Sequence, residues 1–225
     1  MTIRIFTSLQ FKLCLSLASV GMAFVWCATK SHSDEAPTTG SRANSKSATG
    51  PQYNDKGELK LPADYLTWVF VGANLGLEYR EDGAAEPAPD KKPEKPIGNF
   101  HNVYINPEAY EVYAKTGTFP EKTMLVLDVY KSEAGAPKSV VSEGRFPGKQ
   151  MGIAVAVKNS ARPDGSKTDW AYYDFSLDQA SAKAFPDKAC YDCHLAHADD
   201  DKVWVQFYPT LKRIRTEHDL RAKKK

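Results

Sequence analysis

Bulky apolar residues recur along the chain in short runs, separated by polar, glycine- and proline-marked breaks. "LPADYLTW" reads as a short helix or turn opening at Pro62. "WVFVGANLG" follows as a strand that closes at Gly72 or Gly76. "FHNVYIN" is the next strand. The helix after it has clear boundary signals: Asn106 as N-cap, Pro107 at the first helical position, Glu108 in the first turn and Gly117 past the end. Ala109, Val112, Tyr113 and Thr116 share one face of that helix. "TMLVLDVYK" is a strand with Leu125, Leu127 and Val129 on one side and Met124, Val126 and Asp128 on the other. "DWAYYDFS" is a further strand. A short helical stretch and a final amphipathic segment, "VWVQFYPTLKRIRTEH", complete the pattern.

The strand "MGIAVAVKN" is lopsided. Met151, Ile153, Val155 and Val157 face one way, and Gly152, Ala154 and Ala156 face the other. Small residues on one face leave room for a close neighbour there, either a helix or a flat cofactor. Short connections such as "RPDGSK" favour antiparallel pairing. The elements together predict an α+β fold, an antiparallel β-sheet with helices packed on it.

The start of the chain has another character. Arg4 and Lys12 precede the apolar run "LCLSLASVGMAFVWCA", the layout of an export signal. The run is short of the roughly twenty apolar residues of a membrane span. The expectation for 1–28 is a signal peptide or N-terminal membrane anchor, hence a periplasmic or otherwise exported protein. Cys14 and Cys27 fall inside it and take no part in a site. Residues 29–52 are rich in Ser, Thr, Ala, Gly and Pro and read as a disordered linker, with His32 carrying no role. The loop "REDGAAEPAPDKKPEKPIGN" is expected to be exposed. A folded domain is expected over 53–217 and a basic tail over 218–225.

Composition narrows the classes. The 225 residues include 42% apolar and 11% aromatic side chains, enough for a real core. The 30 basic and 28 acidic residues nearly balance, for a net charge of +2. The one basic cluster, Arg221 to Lys225, is not interleaved with aromatics, so nucleic-acid binding is not expected.

The chemistry concentrates in "ACYDCH", where Cys190 and Cys193 are followed at once by His194. A redox dithiol of the thioredoxin type belongs near a βαβ unit, and here an antiparallel sheet precedes the motif. A zinc site needs further ligands; no other Cys lies outside the export segment, and His197 is close and cramped. Attachment of a c-type haem needs two thiols at this spacing and an adjacent iron ligand, which is what the motif supplies. On that reading Cys190 and Cys193 anchor one covalent haem c, and His194 is the proximal iron ligand.

The other side of the iron decides what such a haem does. Met124 and Met151 are strand residues and read as core rather than ligands. His101 opens a strand and is a candidate for the distal pocket, as well as for an ordinary sheet-edge residue. His197 and His218 read as surface residues. Asp128 and Asp174, each among apolar neighbours, are candidate carboxylates for moving protons.

The succession "YNDKGELKLPADYLTWVFVG", "FHNVYINPEAYEVYAKTGTFPEKTMLVLDVY", "DWAYYDFS", "CYDCH" and "VQFYPTLKRI" resembles the cytochrome P-460 family, whose near relatives include the cytochromes c′-beta. The resemblance runs from about Tyr53 to Arg215. It implies a mainly antiparallel sheet with helices, often dimeric, carrying one c-type haem with an open or apolar-capped distal side. Cytochromes P-460 oxidise hydroxylamine, and the c′-beta relatives bind nitric oxide and carbon monoxide. In the catalytic members a lysine in the strand after the "KTG" turn is bonded to the haem ring. That position falls on Leu127 here. Lys122 lies in the turn, and Lys131 lies about 13 Å further along the strand. The expectation is therefore a small-ligand-binding cytochrome, with Leu127 and Phe100 or Phe119 as an apolar distal wall. Hydroxylamine-type oxidation, electron transfer to a redox partner cytochrome and peroxidase-like activity stand as alternatives.

Overall fold

The computed structural model describes residues 50–78, 97–135, 138, 140–141 and 143–224. Residues 1–28, nearly all of 29–52 and most of the charged loop after Gly76 lie outside the described residues. In chain order the elements are β1 (Leu59–Lys60), β2 (Val69–Leu75), β3 (Phe100–Ile105), α1 (Pro107–Thr116), β4 (Met124–Ala134), β5 (Arg145–Lys158), β6 (Trp170–Phe175), β7 (Ser181–Ala182), α2 (Asp187–His197) and α3 (Pro209–Ala222). Short 3-10 turns precede β2 at Tyr65–Thr67 and α3 at Val205–Phe207.

Strands β2 to β6 form one sheet in sequence order, each antiparallel to the next, and β1 pairs with β7 as a separate ribbon. This is the expected α+β arrangement. Because successive side chains alternate, the register sorts them onto two faces. One face carries Val103, Ile105, Leu125, Trp170 and Tyr172, packed with Ala109 and Tyr113 of α1 and Leu211 and Ile214 of α3. The other carries Met124, Val126, Ile153, Val155, Val157, Ala171, Tyr173 and Phe175, closed over by Leu59, Tyr65, Trp68 and Ala182. The small residues of β5 thus face the helices, and its bulky ones face the ribbon.

Two glycines make the helical layer possible. Gly117 ends α1 in the left-handed region at φ 72°, and its N–H reaches the Tyr113 carbonyl at 2.8 Å. Gly72 sits at a bulge in β2. A Cβ there would meet Pro209 Cδ at 2.8 Å, so only glycine admits the start of α3 against the sheet.

Three details differ from the sequence expectations. Asn106 precedes α1 as expected, but its side chain makes no cap hydrogen bond. Its Oδ1 instead accepts from the Met124 N–H at 2.8 Å, pinning the start of β4. The β4–β5 hairpin runs well beyond the apolar alternation, through two register shifts and Pro147. Bulges break the two-residue period, which hides such strand from pattern reading. The basic end is also not all tail, since α3 continues to Ala222.

Candidate functional site

Helix α2 carries the cysteine motif and packs on β6, the edge strand of the sheet. Its start is held by Arg162, whose side chain is almost wholly buried. That guanidinium pairs with Asp164 and with Asp187, the latter at 3.1 Å, and donates to the Trp170 carbonyl. Cys190 and Cys193 stand at i and i+3, hence on one side of the helix. Both are half-buried and unbridged. Burial pushes the Cys190 thiol up, with a further push from Cys193. A reactive redox dithiol needs the reverse, a thiol pKa lowered by its surroundings.

His194 follows on the next position and is held by the chain segment beyond α2. Its Nδ1 lies 2.8 Å from the Lys202 carbonyl oxygen, and Trp204 Nε1–H donates to its Nε2 at 3.1 Å. A carbonyl can only accept, so Nδ1 carries the proton and Nε2 presents its lone pair. Tyr172 packs on the ring at 4.3 Å between centroids and Trp204 at 5.0 Å. Burial lowers the His194 pKa and favours the neutral imidazole, the form that binds metal.

The turn that aims the Lys202 carbonyl is unusual. Asp200 and Val203 bridge one another, and the two residues between them, Asp201 and Lys202, both have left-handed backbone at φ 46° and 62°. Side-chain-bearing residues pay about 1–2 kcal/mol each for that conformation. Ion pairs offset the cost. Lys202 Nζ reaches Asp169 Oδ2 at 2.9 Å and Asp201 Oδ1 at 3.2 Å, and Lys158 Nζ reaches Asp201 Oδ2 at 2.7 Å. Tyr191, between the two cysteines, donates its hydroxyl to Asp169 at 3.1 Å. The network therefore grips α2 as well as the turn.

The sheet face beside α2 places several expected residues together. Leu127, Ala154 and Asp174 lie in one cross-strand row, and His101, Val129 and Gly152 lie in the next. Leu127, Val129, Ala154 and Gly152 are only half-buried, in contrast to the closed core around Leu125, and Asp174 is exposed. His101 Nδ1 is 3.0 Å from Asn74 Oδ1, and burial lowers its pKa. This is an apolar platform with one carboxylate and one imidazole on its rows.

Other expected residues are elsewhere. Asp128 is fully buried on the opposite face, where Tyr65, Tyr130 and Gln150 donate to it at 2.8, 2.9 and 2.7 Å. It is remote from His194 because side chains alternate and its neighbour Leu127 takes the helix side. The same alternation turns Phe100 and Met124 away from α2, and Met151 is exposed at the first β4–β5 register shift. Phe119 is buried against Tyr113, with ring centroids 4.0 Å apart. Lys131 lies beyond the first β4 register shift. His218 is not simply at the surface, since its Nε2 is 3.1 Å from the Ala114 carbonyl oxygen. Among the described residues no group of three or more His, Cys, Asp or Glu side chains is placed to hold a metal ion by itself.

Sequence reasoning missed Tyr172, Trp204, Lys202, Asp201, Asp169 and Arg162. The pattern of "DWAYYDFS" does put Tyr172 and Asp174 on one face. Asp201 is of a residue type that tolerates left-handed backbone, but lysine at 202 gives no such signal.

The donor set fits a haem: two unbridged thiols one turn apart, an adjacent imidazole with Nε2 as the acceptor nitrogen, and a half-open apolar sheet face. His194 Nε2, which accepts the Trp204 indole N–H, would be the nitrogen to hold an iron. No curated protein matches the chain. The family model described as Cytochrome P460 matches residues 62–205, from the turn before β2 through the segment that holds His194. The chain belongs to the cytochrome P460 family and is a haem cytochrome of that family.

Proposed function

We propose that this is an exported cytochrome with one covalent haem c, whose iron keeps an open side for a small ligand such as nitric oxide or carbon monoxide. Cys190 and Cys193 would hold the haem through thioether bonds to its vinyl groups, and His194 Nε2 would ligate the iron. The bound haem supplies a metal centre for small neutral ligands. The protein supplies the ligating nitrogen, an aromatic wall of Tyr172 and Trp204, and an apolar face that disfavours water and anions.

The observation that carries this reading is Leu127. It stands on the helix-side face, half-buried beside Ala154, where the catalytic pattern of the resembled family has a lysine. Lys158 and Lys202 are both engaged in ion pairs. The expected holoprotein is high-spin, responds to carbon monoxide when reduced, and shows two thioether bonds and no lysine bond by mass spectrometry of the haem peptide. A ferrous Soret band far to the red, with a third covalent link, would refute it.

A second reading, oxidation of hydroxylamine or a related nitrogen compound, draws support from Asp174. Its exposed carboxylate shares a cross-strand row with Leu127 and would take a proton from a substrate on that face. Hydroxylamine-dependent reduction of an acceptor, lost at least tenfold in Asp174→Asn, would move this reading to the front. Export is supported by the basic start and apolar run of residues 1–28. Among the described residues no helix is long and apolar enough to cross a membrane, so a membrane tether would reside in that segment. A homodimer and a redox partner cytochrome complete the proposal; sedimentation of the holoprotein and electron-exchange kinetics test them.

A further inference from the structure

Four parts of the fold converge on one carbonyl group. The Lys202 oxygen accepts from His194 Nδ1 at 2.8 Å and from the Tyr172 hydroxyl at 3.3 Å. The Lys202 ammonium lies between Asp169, at the foot of β6, and Asp201, which Lys158 of β5 holds from the other side. Asp201 also accepts from Trp170 Nε1 at 3.3 Å, and Lys158 donates to the Phe119 carbonyl at 2.9 Å. Asp169 takes the Tyr191 hydroxyl of α2. A left-handed turn position is served most simply by glycine or asparagine. Lysine there gives up backbone ease, and its reach to two carboxylates fixes the carbonyl in space.

We propose that the Lys202 carbonyl, fixed by the Asp169–Lys202–Asp201–Lys158 clamp and shared with the Tyr172 hydroxyl, sets the electron-donating strength of His194 and thereby the reduction potential of the haem. The inference rests on the reading that His194 ligates the iron. A hydrogen bond from Nδ1–H to a good acceptor makes Nε2 more basic, and a more basic ligand favours ferric over ferrous iron. Lys202 is a positioning residue, because it acts only through His194. Tyr172 is its counterweight: its hydroxyl draws on the same oxygen and weakens the bond left to the imidazole.

The two partners therefore have opposite effects. In Lys202→Met the carbonyl stays but the clamp opens, the His194 bond loosens, the potential rises and the iron–histidine stretching band falls. Lys202→Arg keeps the charge and returns both values toward those of the wild type. In Tyr172→Phe the ring stays and the competing hydroxyl goes, so the potential falls and the band rises. The experiment is a spectroelectrochemical titration of the four holoproteins, with resonance Raman of their ferrous forms. Opposite shifts support the inference. Unchanged values in both variants, or shifts of the same sign, overturn it. If Lys202→Met fails to accumulate, Tyr172→Phe decides alone, and an unchanged or raised potential overturns the inference. A wild type without attached haem refutes the haem reading itself; haem-bearing variants without shifts refute only the tuning.

Discussion

Asp128 shows what one side chain can and cannot disclose. The sequence places it among apolar strand neighbours, and its alternation with Leu127 puts the two on opposite faces. Which face α2 covers is a long-range fact that the strand itself does not contain. In the structure the Asp128 carboxylate is fully buried and answers three donors from two strands and the Tyr65 turn. Hydrogen bonds to a charged group are worth about 1.5–3 kcal/mol each, and removing the acceptor leaves buried hydroxyls unmatched. Asp128→Ala is expected to cost about 3 kcal/mol in urea unfolding and to leave the haem spectrum unchanged. The same cluster gives a pH dependence. Burial first, and then the Asp128 carboxylate, pushes Tyr130 from 10.0 up to about 12. The neutral phenol is therefore favoured in the folded state. Its contribution is full below pH 10 and is lost as pH rises toward 12. Urea midpoints should fall across that window, and Tyr130→Phe should flatten part of the fall.

Among the elements, α1 was the most legible, since Pro107 and Gly117 mark its ends by their own backbone preferences. The strands were legible wherever one face met a core. The β4–β5 arm was not, because bulges and Pro147 interrupt the period. Helix α2 could be placed from its cysteine motif, while its anchoring depends on a loop far upstream. Arg162 makes that anchor from a buried position. Removing one member of such a pair leaves the others uncompensated, although Asp164 and Asp187 keep partial contact with water. Arg162→Met is expected to cost about 2 kcal/mol. Amide exchange should speed first across 187–197, before α1 or α3 responds. Equal acceleration in all three helices would contradict a local anchor.

At the scale of the molecule, the sheet separates two tasks. Its ribbon side is a closed core, and its helix side carries the platform beside His194. The α+β class followed from the sequence because the strand runs are distinct and each strand meets its neighbour in order. The ribbon did not, since β1 and β7 are two residues each and lie far apart along the chain. Leu59 in that ribbon is fully buried. Leu59→Ala is expected to cost about 2–4 kcal/mol. Most of it should appear as faster unfolding in stopped-flow measurements, with the refolding rate little changed. This follows from chronology. Each hairpin of the main sheet closes between consecutive segments, whereas β1 must wait for residue 182 before it has a partner. The ribbon is thus a late event in the life of the chain, and the cysteine helix begins only five residues after it. A newly made molecule would close this ribbon only after its main sheet has formed, beside the helix that carries Cys190, Cys193 and His194.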